Sequence, residues 1–139
     1  AQIAERRVVT REELQAAGVM RPSDVLQLAD GWSAGSLDQV TWAATPDALP
    51  APGWGVTGQR AWEVLVDGWR VTADVHGLAM LDLLPLSLVA VDSVEIVRGA
   101  SLVPGGIASR GVVRFHTARP RGLRATIARM RGNERGEFV

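Results

Sequence analysis

The stretch from Leu81 to Pro120, LDLLPLSLVAVDSVEIVRGASLVPGGIASRGVVRFHTARP, limits most tightly what this chain can fold into. Leu81, Leu83, Leu84, Leu86, Leu88 and Val89 are too dense for an exposed loop, and Pro85 divides them into two short segments that read as a helical turn. Val91, Val94, Ile96 and Val97 supply the β-branched content of a buried strand, which Arg98 and Gly99 end. Residues 99–111 contain four glycines, Gly99 and Gly111 included, and one proline, so the chain must turn back sharply there. Val112, Val113 and Phe115 then form a second strand that stops before Pro120. The spacing predicts that the strand at 91–97 is central and pairs with the strand at 112–115.

Upstream, Val8 and Val9 suggest a short extended piece. Thr10-Arg11-Glu12-Glu13 is a capping box, in which the threonine hydroxyl and the Glu13 carboxylate each satisfy a free amide at a helix start. Leu14, Ala16 and Ala17 continue that helix, and Gly18 stops it. A second helix is expected over 22–29, with Pro22 in its first turn, a buried face of Val25, Leu26, Leu28 and Ala29, and Gly31 as its end. Val40, Trp42 and Ala44 alternate with polar neighbours as in a half-buried strand over 37–44. The proline- and glycine-rich run 45–58 reads as a long irregular loop. Residues 61–66 form a strand, Asp67-Gly68 suits a tight turn that needs positive φ, and Trp69 and Val71 begin the return. Trp62 and Trp69 are expected to pack on the sheet.

A chain of 139 residues with 47% hydrophobic content suits one compact domain. With no cysteine, disulfides, thiolate metal sites and cysteine nucleophiles are excluded. All fifteen basic residues are arginine, and the zero net charge hides an asymmetry. Residues 1–109 carry 13 acids and 7 arginines, whereas 110–139 carry 8 arginines and 2 acids. No apolar run approaches the ~20 residues of a membrane helix. Ala1-Gln2 reads either as a start left by signal-peptide cleavage or as an arbitrary boundary.

No catalytic set is recognisable. His76 and His116 have no ligand-type neighbours, no serine stands in a nucleophile elbow, and the bend after Gly99 lacks the lysine of a phosphate loop. Asp67, Asp74 and Asp82 fall at turns and helix starts, where carboxylates are favoured without chemistry. An enzyme is therefore not expected, and no cofactor is. The arginines from Arg110 to Arg135 read as a solvated strand face, as a surface meeting an acidic partner, or as a contact to anionic lipid headgroups. Nucleic acid is not expected, because there is no recognised binding motif and the aromatic residues do not form an interleaved pattern with the arginines.

The chain resembles the plug domain of outer-membrane TonB-dependent receptors. The resemblance rests on Val64-Leu65-Val66-Asp67-Gly68, Leu81-Asp82-Leu83-Leu84-Pro85 and Val94-Glu95-Ile96-Val97-Arg98-Gly99, followed by Ser101, Gly105 and Gly111-Val112-Val113, in family order. Pro104 stands where the family commonly has an aromatic residue, and Ala43-Ala44 where it commonly has arginine-glycine. In the family that arginine, with the one matched by Arg98, helps to lock the plug in the barrel wall. The family's short N-terminal motif for an energising periplasmic partner has no counterpart in AQIAERRVV.

The resemblance implies an α+β fold: a small mixed sheet of four to five strands with short helices and long loops. Residues 1–120 would form the plug-like domain and 121–139 a basic strand or tail. The implied function is a non-enzymatic module of the outer membrane or periplasm that occludes a pore or docks onto an assembly of other chains. It would act either as a free-standing subunit or as a plug separated from its barrel. Glu95, Arg98, Gly99, Arg121, Arg124 and Arg129 are the candidates for partner docking, with Arg98 held by a carboxylate of Glu95 or of a partner. Trp54, Gln59 and Arg60 are the candidates for a ligand loop, and Trp54 reads equally as a residue folded back onto the domain. A soluble periplasmic ligand-binding module using the 45–58 loop is the alternative. The 19 residues after Pro120 provide for one or two strands, too few for a barrel of about 22 strands.

Overall fold

The computed structural model describes residues 5–36, 42–45, 62–71, 84–108 and 110–119. In chain order the strands are β1 (Glu5–Thr10), β2 (Ser33–Ser36), β3 (Trp42–Thr45), β4 (Trp62–Val66), β5 (Trp69–Arg70), β6 (Val91–Arg98), β7 (Ser101–Val103), β8 (Gly106–Ala108) and β9 (Gly111–Thr117). Among the described residues, one α-helix, α1 (Arg11–Ala16), and two 3-10 helices, Pro22–Leu28 and Leu88–Ala90, accompany them. The fold is α+β. Five strands form a mixed sheet in the order β1-β6-β9-β4-β5, and two separate hairpins pair β2 with β3 and β7 with β8.

The expected centre is where the sequence places it. β6 and β9 pair antiparallel, with Val94 opposite Phe115, Ile96 opposite Val113 and Val97 opposite Val112. β9 lies parallel to β4, Val64 opposite Val113, and β1 runs antiparallel along β6 from Glu5–Arg98 to Thr10–Ser93. Side chains alternate across a strand, so each of these strands feeds two faces. The inner face gathers Val9, Trp62, Val64, Val94, Ile96, Val113 and Phe115 under Leu14 of α1 and Val25, Leu26 and Ala29 of the first 3-10 segment. The outer face has a smaller cluster of Leu65, Val97 and Val112, with Val103 packed on it. Val91 and Val94, three residues apart, both join the inner core because the register shifts between Val91 and Ser93. Such a bulge adds one residue and restores the inward direction.

The capping box forms as the sequence predicts. Glu13 N–H donates to Thr10 Oγ1 at 3.3 Å, and Thr10 N–H donates to Glu13 Oε2 at 2.8 Å. Gly18 follows with φ 67°, a left-handed turn that glycine enters without a Cβ penalty. Asp67 and Gly68 also turn with positive φ, 49° and 85°, between β4 and β5. Trp62 is buried and meets Trp32 edge to face, ring centroids 5.2 Å apart.

Four expectations need correction. The segment Pro22–Leu28 is a 3-10 helix rather than an α-helix, although Val25, Leu26 and Ala29 are buried as foreseen. Trp69 does not pack on the sheet but is 79% exposed, on β5, a two-residue strand at the sheet edge. Val89 is likewise exposed, on a turn whose apolar partners are Leu86 and Leu88. The glycine-rich bend is not a plain turn, since its middle folds into the β7–β8 hairpin. Of the strand expected over 37–44, positions 42–44 fall in β3 and 37–41 lie outside the described residues.

Candidate functional site

Glu95 and Arg98 sit on β6, three residues apart with no bulge between them, so they project to opposite faces. Glu95 therefore is not the carboxylate that holds Arg98. That carboxylate belongs to Glu5, which lies directly across the β1–β6 ladder and receives a hydrogen bond from Arg98 Nη2. The Arg98 side chain runs over Gly31, whose φ is 76°. A Cβ there would lie 2.8 Å from Arg98 Cζ and overlap the guanidinium nitrogen beside it. Gly31 thus serves both the left-handed turn and the close passage of Arg98. Beside this crossing, Arg7 Nη1 stands 3.6 Å from Asp30 Oδ2. A shallow cleft between these pairs is lined by Glu5, Arg7, Asp30, Trp32, Ile96 and Arg98.

On the outer face Glu95 is the centre of a second charge cluster. Its Oε1 accepts from Arg6 Nε at 2.8 Å and from Arg114 Nη1 at 3.1 Å, while His116 Nε2 lies 3.6 Å from its Oε2. Arg114 also donates through Nη2 to Ser101 Oγ and to the Leu102 carbonyl, both at 2.9 Å. Arginine suits this position because its planar fork can serve two directions at once. Further along the sheet, buried Glu63 on β4 accepts from Arg70 Nε at 2.9 Å and also from Arg70 Nη2.

Gly99 follows β6 with φ 111°, a conformation only glycine adopts readily, and its N–H donates to Arg110 O at 2.6 Å. At the other end of β9, the Asp67 carboxylate accepts from Thr117 N–H at 2.8 Å and from Thr117 Oγ1 at 2.5 Å. The Thr117 hydroxyl first, then its amide, hold the Asp67 carboxyl below its ordinary pKa, with His116 and Arg119 adding to the effect.

Of the sequence-derived candidates, Glu95, Arg98 and Gly99 fall within this described surface. Trp54, Gln59, Arg60, Arg121, Arg124 and Arg129 lie outside the described residues. Glu5 and Arg6 were not singled out by the sequence, and Arg114 was marked only as a member of the arginine-rich run 110–135. Gly31 carried a signal as a helix stop, but nothing local in the sequence relates Glu5 to a residue 93 positions away. Among the described residues there is no cluster of His, Asp and Glu able to hold a metal ion, and no helix long and apolar enough to cross a membrane.

A mixed five-stranded sheet, short helices on one face, and a strand ending in Arg98-Gly99 before a glycine-rich return match one known domain type. The TonB-dependent receptor plug domain family matches residues 2–112. The chain belongs to this family. Among solved structures, P. aeruginosa FpvA bound to heterologous pyoverdines, a TonB-dependent receptor, superimposes with a TM-score of 0.62 at 19% identity. The match covers 86% of this chain and 14% of the FpvA chain, so the plug-type chain spans about one seventh of that receptor's length. At this identity the likeness shows the fold alone. No curated protein matches the chain.

Proposed function

We propose that this chain is a non-enzymatic plug that lies within the lumen of an outer-membrane β-barrel and occludes it. The observation that carries the reading is the plug-family match over residues 2–112, on a sheet with the plug fold. The barrel comes either from the remainder of the same receptor or from a separate chain. In either case the partner is protein, and residues 1–120 are the docking domain. Arg98, whose side chain is 41% exposed while paired with Glu5, and Gly99 are proposed docking residues at the end of β6, and Glu95, 14% exposed, is a proposed docking residue on the opposite face. Arg121, Arg124 and Arg129 are proposed to add positive charge for contact with an acidic partner surface. Trp54, Gln59 and Arg60 are the proposed contacts for a ligand.

The deciding experiment is conductance across a planar bilayer, comparing the receptor barrel with and without this domain. Occlusion predicts large, steady conductance without the domain and a near-closed barrel with it. Equal conductance in the two cases refutes the proposal. Deleting residues after Pro120 tests the basic segment: association with the barrel should weaken, and the difference should shrink at high salt as screening shortens. Unchanged affinity at low salt would remove Arg121, Arg124 and Arg129 from the docking surface.

A further inference from the structure

The segment that joins β6 to β9 folds over the outer face as a hairpin of its own. Among the described residues, β7 and β8 pair with each other, Leu102 opposite Ile107, and with no strand of the main sheet. Beneath them lie Leu65, Val97 and Val112, each at most 5% exposed, with Val103 packed against them and Ala108 buried nearby. On the far side Leu102 and Ile107 are 77% and 67% exposed. Arg114 attaches the hairpin to the sheet, through Ser101 Oγ and the Leu102 carbonyl. Its other terminal nitrogen is anchored by Glu95, which Arg6 also grips.

We infer that the β7–β8 hairpin is a flap, hinged at Gly99 and latched by Arg114, that opens without unfolding the sheet and uncovers the apolar patch of Leu65, Val97 and Val112. A two-stranded hairpin of this length is marginal by itself, so its position depends on what fastens it. Val103 gives it a small apolar footing, and the Arg114 guanidinium supplies polar fastening. The sheet below does not depend on the hairpin, because β6 is paired on both sides, by β1 and β9, and β9 by β6 and β4. Opening therefore breaks few contacts while the two central ladders stay intact. Glu95 is the positioning residue of the latch: by taking Nη1 of Arg114 it directs Nη2 at the hairpin. The inference rests on these contacts and not on pore occlusion.

The full chain has no cysteine, so a single Val97→Cys substitution, close in volume, reports on the covered patch. Thiol labelling is followed under native conditions across a urea series below the unfolding transition, beside amide exchange of residues 101–108 and of β6 and β9. A flap predicts labelling with little urea dependence and hairpin protection about tenfold or more below that of β6 and β9. Arg114→Lys, which keeps the charge but not the fork, should speed labelling by about tenfold while β6 and β9 protection falls less. Glu95→Gln should act in the same direction. Labelling that occurs only with the urea slope of global unfolding, or hairpin amides as protected as those of β6 and β9, overturns the inference. Should Arg114→Lys fail to fold, the urea series on Val97→Cys alone and amide exchange of the wild type decide it.

Discussion

Gly31→Ala is the sharpest probe of how the N-terminal strand is fastened to the domain. Two costs are expected. An alanine at φ 76° enters the left-handed region, at about 1–2 kcal/mol for a residue with a Cβ. The new methyl also occupies the path of Arg98, which must swing away and release Glu5. Both partners are substantially exposed, 41% and 59%, so that pair contributes only about 0.2–1 kcal/mol. Together the substitution should destabilise by about 1–3 kcal/mol. Urea unfolding reads this as a midpoint lowered by about 1 M. The two costs separate in a double-mutant cycle with Arg98→Ala. Without the guanidinium, Gly31→Ala should retain its backbone cost and lose the remainder, giving a coupling of about 0.5–1 kcal/mol. A Gly31→Ala chain as stable as the wild type, or an identical cost in both backgrounds, would refute the reasoning.

Other expectations follow from the same contacts. Thr10→Ala removes the hydroxyl half of the capping box and should cost about 1 kcal/mol in chemical denaturation. Val9→Ala removes the one buried side chain of β1 and should cost about 2 kcal/mol, with exchange rising first in Glu5–Thr10 amides; exchange spread evenly over the sheet would contradict this. Phe115→Ala, at the centre of the inner core, should cost about 3–5 kcal/mol and lower the melting temperature most among these variants. Asp67 has a folded-state pKa below its unfolded value, so its contribution is present above the unfolded carboxylate pKa and is lost as pH falls through the folded one. Asp67→Asn, which tolerates the left-handed turn, should therefore flatten the acid limb of a stability-versus-pH curve; an unchanged limb would show that Thr117 does not hold the charge.

What the sequence determined by itself were the features written in short spans. The capping box at Thr10–Glu13 needs only four neighbouring residues, and the Asp67-Gly68 turn only two, so both could be read before any fold was known. The pairing of β6 with β9 was legible because two β-branched runs flank a glycine-rich return and the register follows from alternation. The family pattern over Val64 to Val113 likewise rests on ordered local motifs. Tertiary structure alone decided the rest. The parallel alignment of β4 beside β9 and the place of β1 at the sheet edge depend on which backbone ladders are left open once the centre forms. Glu95 seemed a partner for Arg98 by proximity in sequence, yet strand alternation sends them to opposite faces, and the partner proved to be Glu5 across a ladder. Arg114 and Gly31 gained their roles in the same way. A local pattern specifies the conformation of a segment, but a contact between opposite ends of the chain exists only after the sheet has brought them together.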